Sequence, residues 1–239
     1  MTSRIERYQR FLRAVQSLQS TPLVVIYLTL IPVSLLWKRL VPPLHLRRVL
    51  VLYNLLCSVL SLYSFVIIAK HYVQNGVESL FRMEVNQSIK QALLVYWATK
   101  NIELLDTVFM ILRHRQRQIS FLHVYHHSTI LLLSDYCYHF YAWPSIAFML
   151  GLNSFVHIFL YFYYAQSALY QQQRPAWKIR MTELQIVQFV IGLVHVAMGY
   201  LYYGFCIYGI FYGLSMLGLF GNFYYHAYIK TKPSNAKVE

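Results

Sequence analysis

The chain has 239 residues, of which 58% are hydrophobic and only 12% charged, whereas soluble domains carry about a quarter of their residues as charges; several apolar runs reach the roughly 17–25 residues that cross a bilayer, so lipid is the expected solvent. The net charge of +13 sits in short runs between apolar spans, as orientation charges do, and not on one basic face, which excludes a nucleic-acid-binding reading. Cys57, Cys137 and Cys206 are too few for a disulfide framework or a tetrahedral zinc site.

In chain order, the first twenty residues set Ile5, Tyr8, Phe11, Val15 and Leu18 at helical spacing against Arg4, Arg7, Arg10 and Arg13. That pattern predicts an interfacial amphipathic helix over 1–20. Apolar runs bounded by charge or proline then predict spanning helices near 21–37, 48–69, 89–112, 119–134, 143–164, 184–201 and 205–226, all within one domain over 21–228 that is followed by a tail at 229–239. Seven spans put the termini on opposite sides. Lys38, Arg39, Arg47, Arg48, Arg113, Arg115, Arg117, Arg174, Lys178, Arg180 and the tail lysines share one side and outnumber the bases opposite, so that side is expected to be cytosolic and the N-terminus lumenal. The sequon Asn86-Gln-Ser88 falls on the lumenal side, as do Cys137 and Cys206, where a bridge is allowed.

Polar residues inside spans carry a cost of about 2.5–3.5 kcal/mol or more per charge, so they need a reason. Four successive spans hold a stripe: Lys100, Glu103, Asp106 and Thr107; His123, His126 and His127; Asn153 and His157; Thr182, Gln185 and Gln188. Spacings of three and four place each stripe on one helix face. Measured from the cytosolic boundary, all four lie roughly 10 Å deep, which predicts one buried polar chamber open to the cytosol. Tyr53, Asn54, Asn222 and His226 fall near the same face, and the lumenal halves stay apolar. Thr182, Asn222, His226 and the isolated His195 also fit plain interhelical hydrogen bonding. His45, His71, His114 and His139 fall in loops or at helix ends and read as solvated. Tyr161, Tyr163 and Tyr164 either line the chamber mouth or belong to an interfacial belt.

The strings Lys100-Asn-Ile-Glu-Leu-Leu-Asp-Thr107, Phe121-Leu-His-Val-Tyr-His-His-Ser128, Asn153-Ser-Phe-Val-His157 and Thr182-Glu-Leu-Gln-Ile-Val-Gln-Phe189, with Leu219-Phe-Gly-Asn-Phe-Tyr224 near the end, together resemble the ELO family of fatty acid elongases. The resemblance implies an all-α enzyme of the endoplasmic reticulum membrane whose seven transmembrane helices close, over the last six, into a barrel around an acyl-chain tunnel. It implies a 3-ketoacyl-CoA synthase that condenses acyl-CoA with malonyl-CoA, needs no metal or other cofactor, and works beside the reductases and dehydratase of the elongation cycle, with homo-oligomers allowed.

Such a condensation needs a nucleophile, a route to a carbanion and donors for developing oxyanions. By resemblance His126 is the nucleophile, His123 and His127 orient it or move protons, and His157 with Asn153 handles the malonyl unit. Lys100, Asp106, Gln185 and Gln188 hold the network and contact the substrate, which Tyr161 and Tyr164 border. Arg113, Arg115, Arg117, Lys178 and Arg180 anchor the CoA phosphates or only set topology. Leu160 replaces the methionine usual after the fifth-span histidine, and the ending Asn-Ala-Lys-Val-Glu lacks a full dilysine retrieval pattern. Gln118, Val124 and Tyr125 lean toward branches that act on polyunsaturated or very long chains. Two rivals share some of these features. A di-iron desaturase or hydroxylase also carries His-x-x-His-His but needs about eight histidines in three boxes. A seven-helix receptor or transporter shares the topology, but its pocket would be expected to open outward.

Overall fold

A computed structural model describes residues 16–170 and 177–230, together with Arg13. Most of the amphipathic segment over 1–20, Arg174 and nearly all of the tail at 229–239 lie outside the described residues. Among the described residues there is no strand. The helices are α1 (Ser20–Leu40), α2 (Arg47–Asn75), α3 (Gln87–Glu103), α4 (Leu105–Leu112), α5 (Phe121–Phe140), α6 (Pro144–Leu169), α7 (Lys178–Tyr202) and α8 (Tyr208–Tyr224), with 3-10 turns at Val77–Phe81 and Gln116–Gln118 and a π turn at Tyr225–Ile229.

α1, α2, α6 and α7 are each long and apolar enough to cross a bilayer. Their outer faces are apolar: Leu35 is 62% exposed and Leu52 69%, which water would not tolerate in rows but lipid does. The chain is a multi-pass membrane protein.

Each expected apolar run has a helix, with displaced ends. α2 runs to Asn75 and not 69, because no residue stops it before Gly76, whose φ of 76° and ψ of 172° belong to a conformation that glycine takes without strain. α7 starts at Lys178 and not 184, since Lys178, Arg180, Thr182 and Glu183 are polar without being helix breakers. An apolar run marks the lipid-facing length of a helix, not its end. The run expected over 89–112 is two helices. Leu104 (φ −60°, ψ −24°) joins them, and bonds from Leu104 N–H to Asn101 O (3.3 Å) and from Thr107 N–H to Leu104 O (3.2 Å) tighten the turn.

The described chain divides into two compact units, Met1–Gln171 and Gln172–Glu239. In the first, α2 and α6 pack together, and small residues are buried on both: Ser58, Ser61 and Ser64 on α2, Gly151 and Ser154 on α6. Ser58 Oγ donates to Ile158 O at 2.9 Å. A Cβ on Gly151 would stand 3.0 Å from Ile68 Cγ2, so the spacing depends on glycine. Ile68, Ile89, Leu93, Tyr96, Ile130 and Leu150 form a core that ties α3 and α5 to this pair. The start of α1 is fixed by Asp135, fully buried on α5, whose Oδ2 accepts the Ser20 N–H at 2.7 Å; Trp97 Nε1 donates to Ser20 Oγ at 2.8 Å.

In the second unit, α7 and α8 turn at Gly204, φ 79°, and Phe205 folds onto Gly199 so closely that a Cβ there would meet its ring at 2.0 Å. Phe189 and Phe220 stack between the helices, 5.1 Å apart.

Two sequence readings change. His71 is 6% exposed, and His139, expected to be only solvated, lies 2.7 Å from Asp135 Oδ1, a carboxylate on its own helix one turn away. Among the described residues no disulfide is formed by Cys57, Cys137 or Cys206.

Candidate functional site

Three of the four polar stripes belong to the first unit, and they meet. The break at Leu104 falls between Glu103 and Asp106, so Glu103 ends α3 while Asp106 and Thr107 sit in the first turn of α4. Ser120 caps α5, its Oγ accepting from His123 N–H at 3.2 Å, so the three histidines occupy the first two turns of that helix. On α6, Asn153, His157 and Tyr161 repeat every four residues and face inward, each at most 6% exposed.

A buried ionic knot forms the centre. Lys100 Nζ lies 2.9 Å from each Glu103 carboxylate oxygen and 3.1 Å from His157 Nδ1; Glu103 Oε1 is also 3.1 Å from that Nδ1. Lys100 is 2% exposed and Glu103 fully buried. Two opposite charges at this depth are tolerable only as a pair whose hydrogen-bonding capacity is filled. Tyr161 donates to Asp106 Oδ2 at 2.7 Å, and Tyr53 packs edge-on against Tyr161, 6.3 Å between centroids. Tyr96 donates to Asn153 Oδ1 at 2.7 Å, and its ring lies 4.8 Å below Lys100 Nζ. Thr107, fully buried, bridges Tyr27 OH (3.1 Å) and His123 Nε2 (2.7 Å).

The four imidazoles form a chain. Ring centroids are 4.2 Å apart for His123 and His127, 5.6 Å for His126 and His127, and 6.3 Å for His126 and His157. His126 Nδ1 is buried and has no hydrogen-bond partner among the described residues, whereas His157 Nδ1 is held by two.

The remaining candidates separate. Tyr164 touches Tyr161 edge-on at 5.9 Å but is 40% exposed, and Arg113 and Arg117 lie beside and within the turn that leads to α5. Gln185, Gln188, Lys178 and Arg180 belong to the second unit. There Gln188 is 6% exposed, Gln185 is half-buried, and Lys178 lies 6.0 Å over the Tyr228 ring. Arg180 donates to Glu183 Oε2 at 2.7 Å, and Tyr224 donates to Oε1 at 3.1 Å. The exposed Arg180–Glu183 pair adds little stability. Glu103, Thr107, Tyr53, Tyr96 and Tyr27 complete the first unit's network. Glu103 and Thr107 were visible in the stripe, but Tyr96 and Tyr27 had no signal beyond being tyrosines in apolar runs.

The fold and site define a multi-pass helical membrane protein that carries an imidazole-rich polar centre braced by a buried ion pair. Sequence comparison gives that class its family. The family model "ELO: GNS1/SUR4 family" matches residues 15–236. Among curated relatives, very long chain fatty acid elongase 5 of Xenopus tropicalis is 35% identical over 214 residues, covering 82% of this chain and 70% of the relative. The proteins of the same name from Homo sapiens and Mus musculus are 33% and 34% identical over 226 residues, each covering 89% of this chain and 75% of the relative. The chain belongs to the ELO family.

Proposed function

We infer that the chain, a fatty acid elongase by its family and relatives, catalyses the condensing step of elongation as an acyltransferase: acyl-CoA and malonyl-CoA give 3-ketoacyl-CoA, CO2 and CoA. The relatives' name points to very long acyl chains as the product class. The carrying observation is the contrast between two facing imidazoles. His157 Nδ1 is held by Lys100 and Glu103, while His126, 6.3 Å away, keeps a ring nitrogen without a partner. One ring is positioned and the other is uncommitted, which is what a stabiliser and a nucleophile respectively require.

His126 attacks the thioester carbonyl with a neutral ring nitrogen. The C–N bond forms, the C–S bond breaks, and CoA leaves as thiolate, taking the proton released from the other nitrogen of the acylated ring. Malonyl-CoA then loses CO2, and the electron pair of the broken C–C bond becomes an enolate on its thioester. That enolate attacks the acyl-imidazole carbonyl: a C–C bond forms, the C–N bond breaks, and His126 recovers a proton. The sum consumes one proton. His157 and Asn153 face the malonyl unit and stabilise the enolate oxygen, and His123 and His127 relay protons to His126.

Several further assignments belong to this proposal and rest on the family resemblance and the charge pattern. They are the closure of the last six spans around the acyl chain within one domain over 21–228, and the contribution of Gln185 and Gln188 to the reaction centre. Arg113, Arg117, Lys178 and Arg180 anchor CoA phosphates, and Asp106 and Tyr164 border the substrate. The N-terminus is lumenal and the C-terminus cytosolic in the endoplasmic reticulum. The reductases and dehydratase of the cycle, and further copies of the chain, are the expected partners, and no metal or other cofactor is required.

The test is to incubate the purified protein with malonyl-CoA and acyl-CoA primers between about C10 and C24, with mass spectrometry of the products. A 3-ketoacyl-CoA two carbons longer than a primer is expected. Folded protein that yields none with any primer overturns the reading.

A further inference from the structure

The contacts around His157 Nδ1 can be counted hydrogen by hydrogen. An ammonium has three N–H donors and no acceptor. Lys100 Nζ has three acceptors in reach: Glu103 Oε1 and Oε2 at 2.9 Å each, and His157 Nδ1 at 3.1 Å. With Lys100 2% exposed, bulk water does not reach it, and the Tyr96 ring offers only a face at 4.8 Å. If Nδ1 carried the hydrogen in a neutral His157, that hydrogen would meet the third Lys100 N–H, and one buried donor would be left unmade, at a cost of about 1–3 kcal/mol. If Nδ1 is bare, all three donors are used.

We propose that Lys100, anchored by Glu103, is the positioning residue that selects the tautomer of His157, leaving Nδ1 as acceptor and the hydrogen on Nε2. This rests on the condensing role given to His157 above, and it explains the residue types. A ring that stabilises an enolate oxygen must present an N–H, not a lone pair. A carboxylate alone beside Nδ1 would select the opposite form, as it does in Ser-His-Asp triads. Placing an ammonium between carboxylate and ring reverses the selection. Should His157 take up a second proton, Glu103 Oε1 at 3.1 Å accepts it at Nδ1, and Nε2 keeps its hydrogen. Lys100 is therefore assigned to the ring and not to the substrate.

Four forms of the chain test this: wild type, Lys100→Met, and the double variants Lys100→Met/Glu103→Gln and Lys100→Met/Glu103→Leu. Both double variants remove both charges, so neither buries a lone ion. They differ in that the glutamine amide donates to Nδ1 and restores the Nε2–H form, while leucine cannot. Condensation with malonyl-CoA is expected to be at least about tenfold faster in the glutamine double variant than in the leucine one. Lys100→Met alone lets Glu103 capture the Nδ1 hydrogen, and its condensation is expected to fall about a hundredfold or more, on the scale of wrong-tautomer variants. CoA release from acyl-CoA without malonyl-CoA, which needs His126 and not His157, is expected to fall less. Equal condensation rates in the two double variants, or equal losses of both half-reactions in Lys100→Met, overturn the assignment. If the amide rescue is seen but wild type releases no CoA without malonyl-CoA, the acyl-imidazole reading fails while the tautomer assignment stands.

Discussion

Thr107 offers the sharpest test of how the site is held. It is fully buried at the start of α4, and its hydroxyl joins Tyr27 OH on α1, 3.1 Å away, to His123 Nε2 on α5, 2.7 Å away. Thr107→Val keeps the shape and removes only this junction. Two hydrogen bonds are lost; such bonds average about 0.6 kcal/mol within membrane bundles and about 0.5–1.5 kcal/mol in soluble proteins. The expected loss is therefore about 1–3 kcal/mol. For a chain of this size each kcal/mol moves the melting temperature by about 2–4 °C, so the melting temperature is expected to fall by about 2–12 °C. Activity should fall by about tenfold, because His123 loses the partner that fixes its ring. Thr107→Ser keeps the hydroxyl and is expected to restore most of the activity. The assay pairs thermal unfolding in detergent with 3-ketoacyl-CoA formation. Thr107→Val with wild-type melting temperature and rate would refute the reading of Thr107 as a junction.

Four other substitutions separate chemistry from framework. His126→Ala removes a ring whose Nδ1 has no hydrogen-bond partner; product is expected to fall by at least about a thousandfold with little change in melting temperature. His157→Ala, which also strips the Lys100–Glu103 knot of its third member, should lose stability as well. Asp135→Ala frees the Ser20 N–H and removes the carboxylate beside the His139 ring, which keeps its bond to the Asp135 backbone O; it is expected to cost about 1–3 kcal/mol, read as early proteolysis around the start of α1. Gly199→Ala places a methyl where the Phe205 ring already lies, 2.0 Å from its Cδ2. It should therefore destabilise the α7–α8 turn by about 1–3 kcal/mol, while Phe205→Ala in the same chain relieves the clash.

Much of the site was legible because membrane sequences expose their exceptions. In an apolar span each polar residue stands out, and spacings of three and four assign it a face. The stripes of α3–α4, α5 and α6 read this way, and the structure joins them through Lys100, Glu103, Asp106, His123 and His157. Matching depth was a sound guide for these three, since side chains on neighbouring spans meet only at a common level.

What stayed hidden depends on bonds that apolar patterning does not record. The bend at Leu104 leaves no proline or glycine behind, yet it falls between Glu103, which meets His157, and Thr107, which meets His123. Tyrosine is ambiguous by its nature, since the same ring serves a lipid belt or a buried hydrogen bond. Tyr27 and Tyr96 proved to be of the second kind, 2% exposed with their hydroxyls on Thr107 and Asn153. Asp135 lay outside every stripe because its partners are the backbone of Ser20 and the ring of His139, neither of which advertises itself as a counterpart. Spacing reveals groups that share a helix, whereas the tautomer of His157 is set by an ammonium on a different helix. That is why Lys100 read from sequence as a substrate contact, and why only the count of its three donors gives it to the ring.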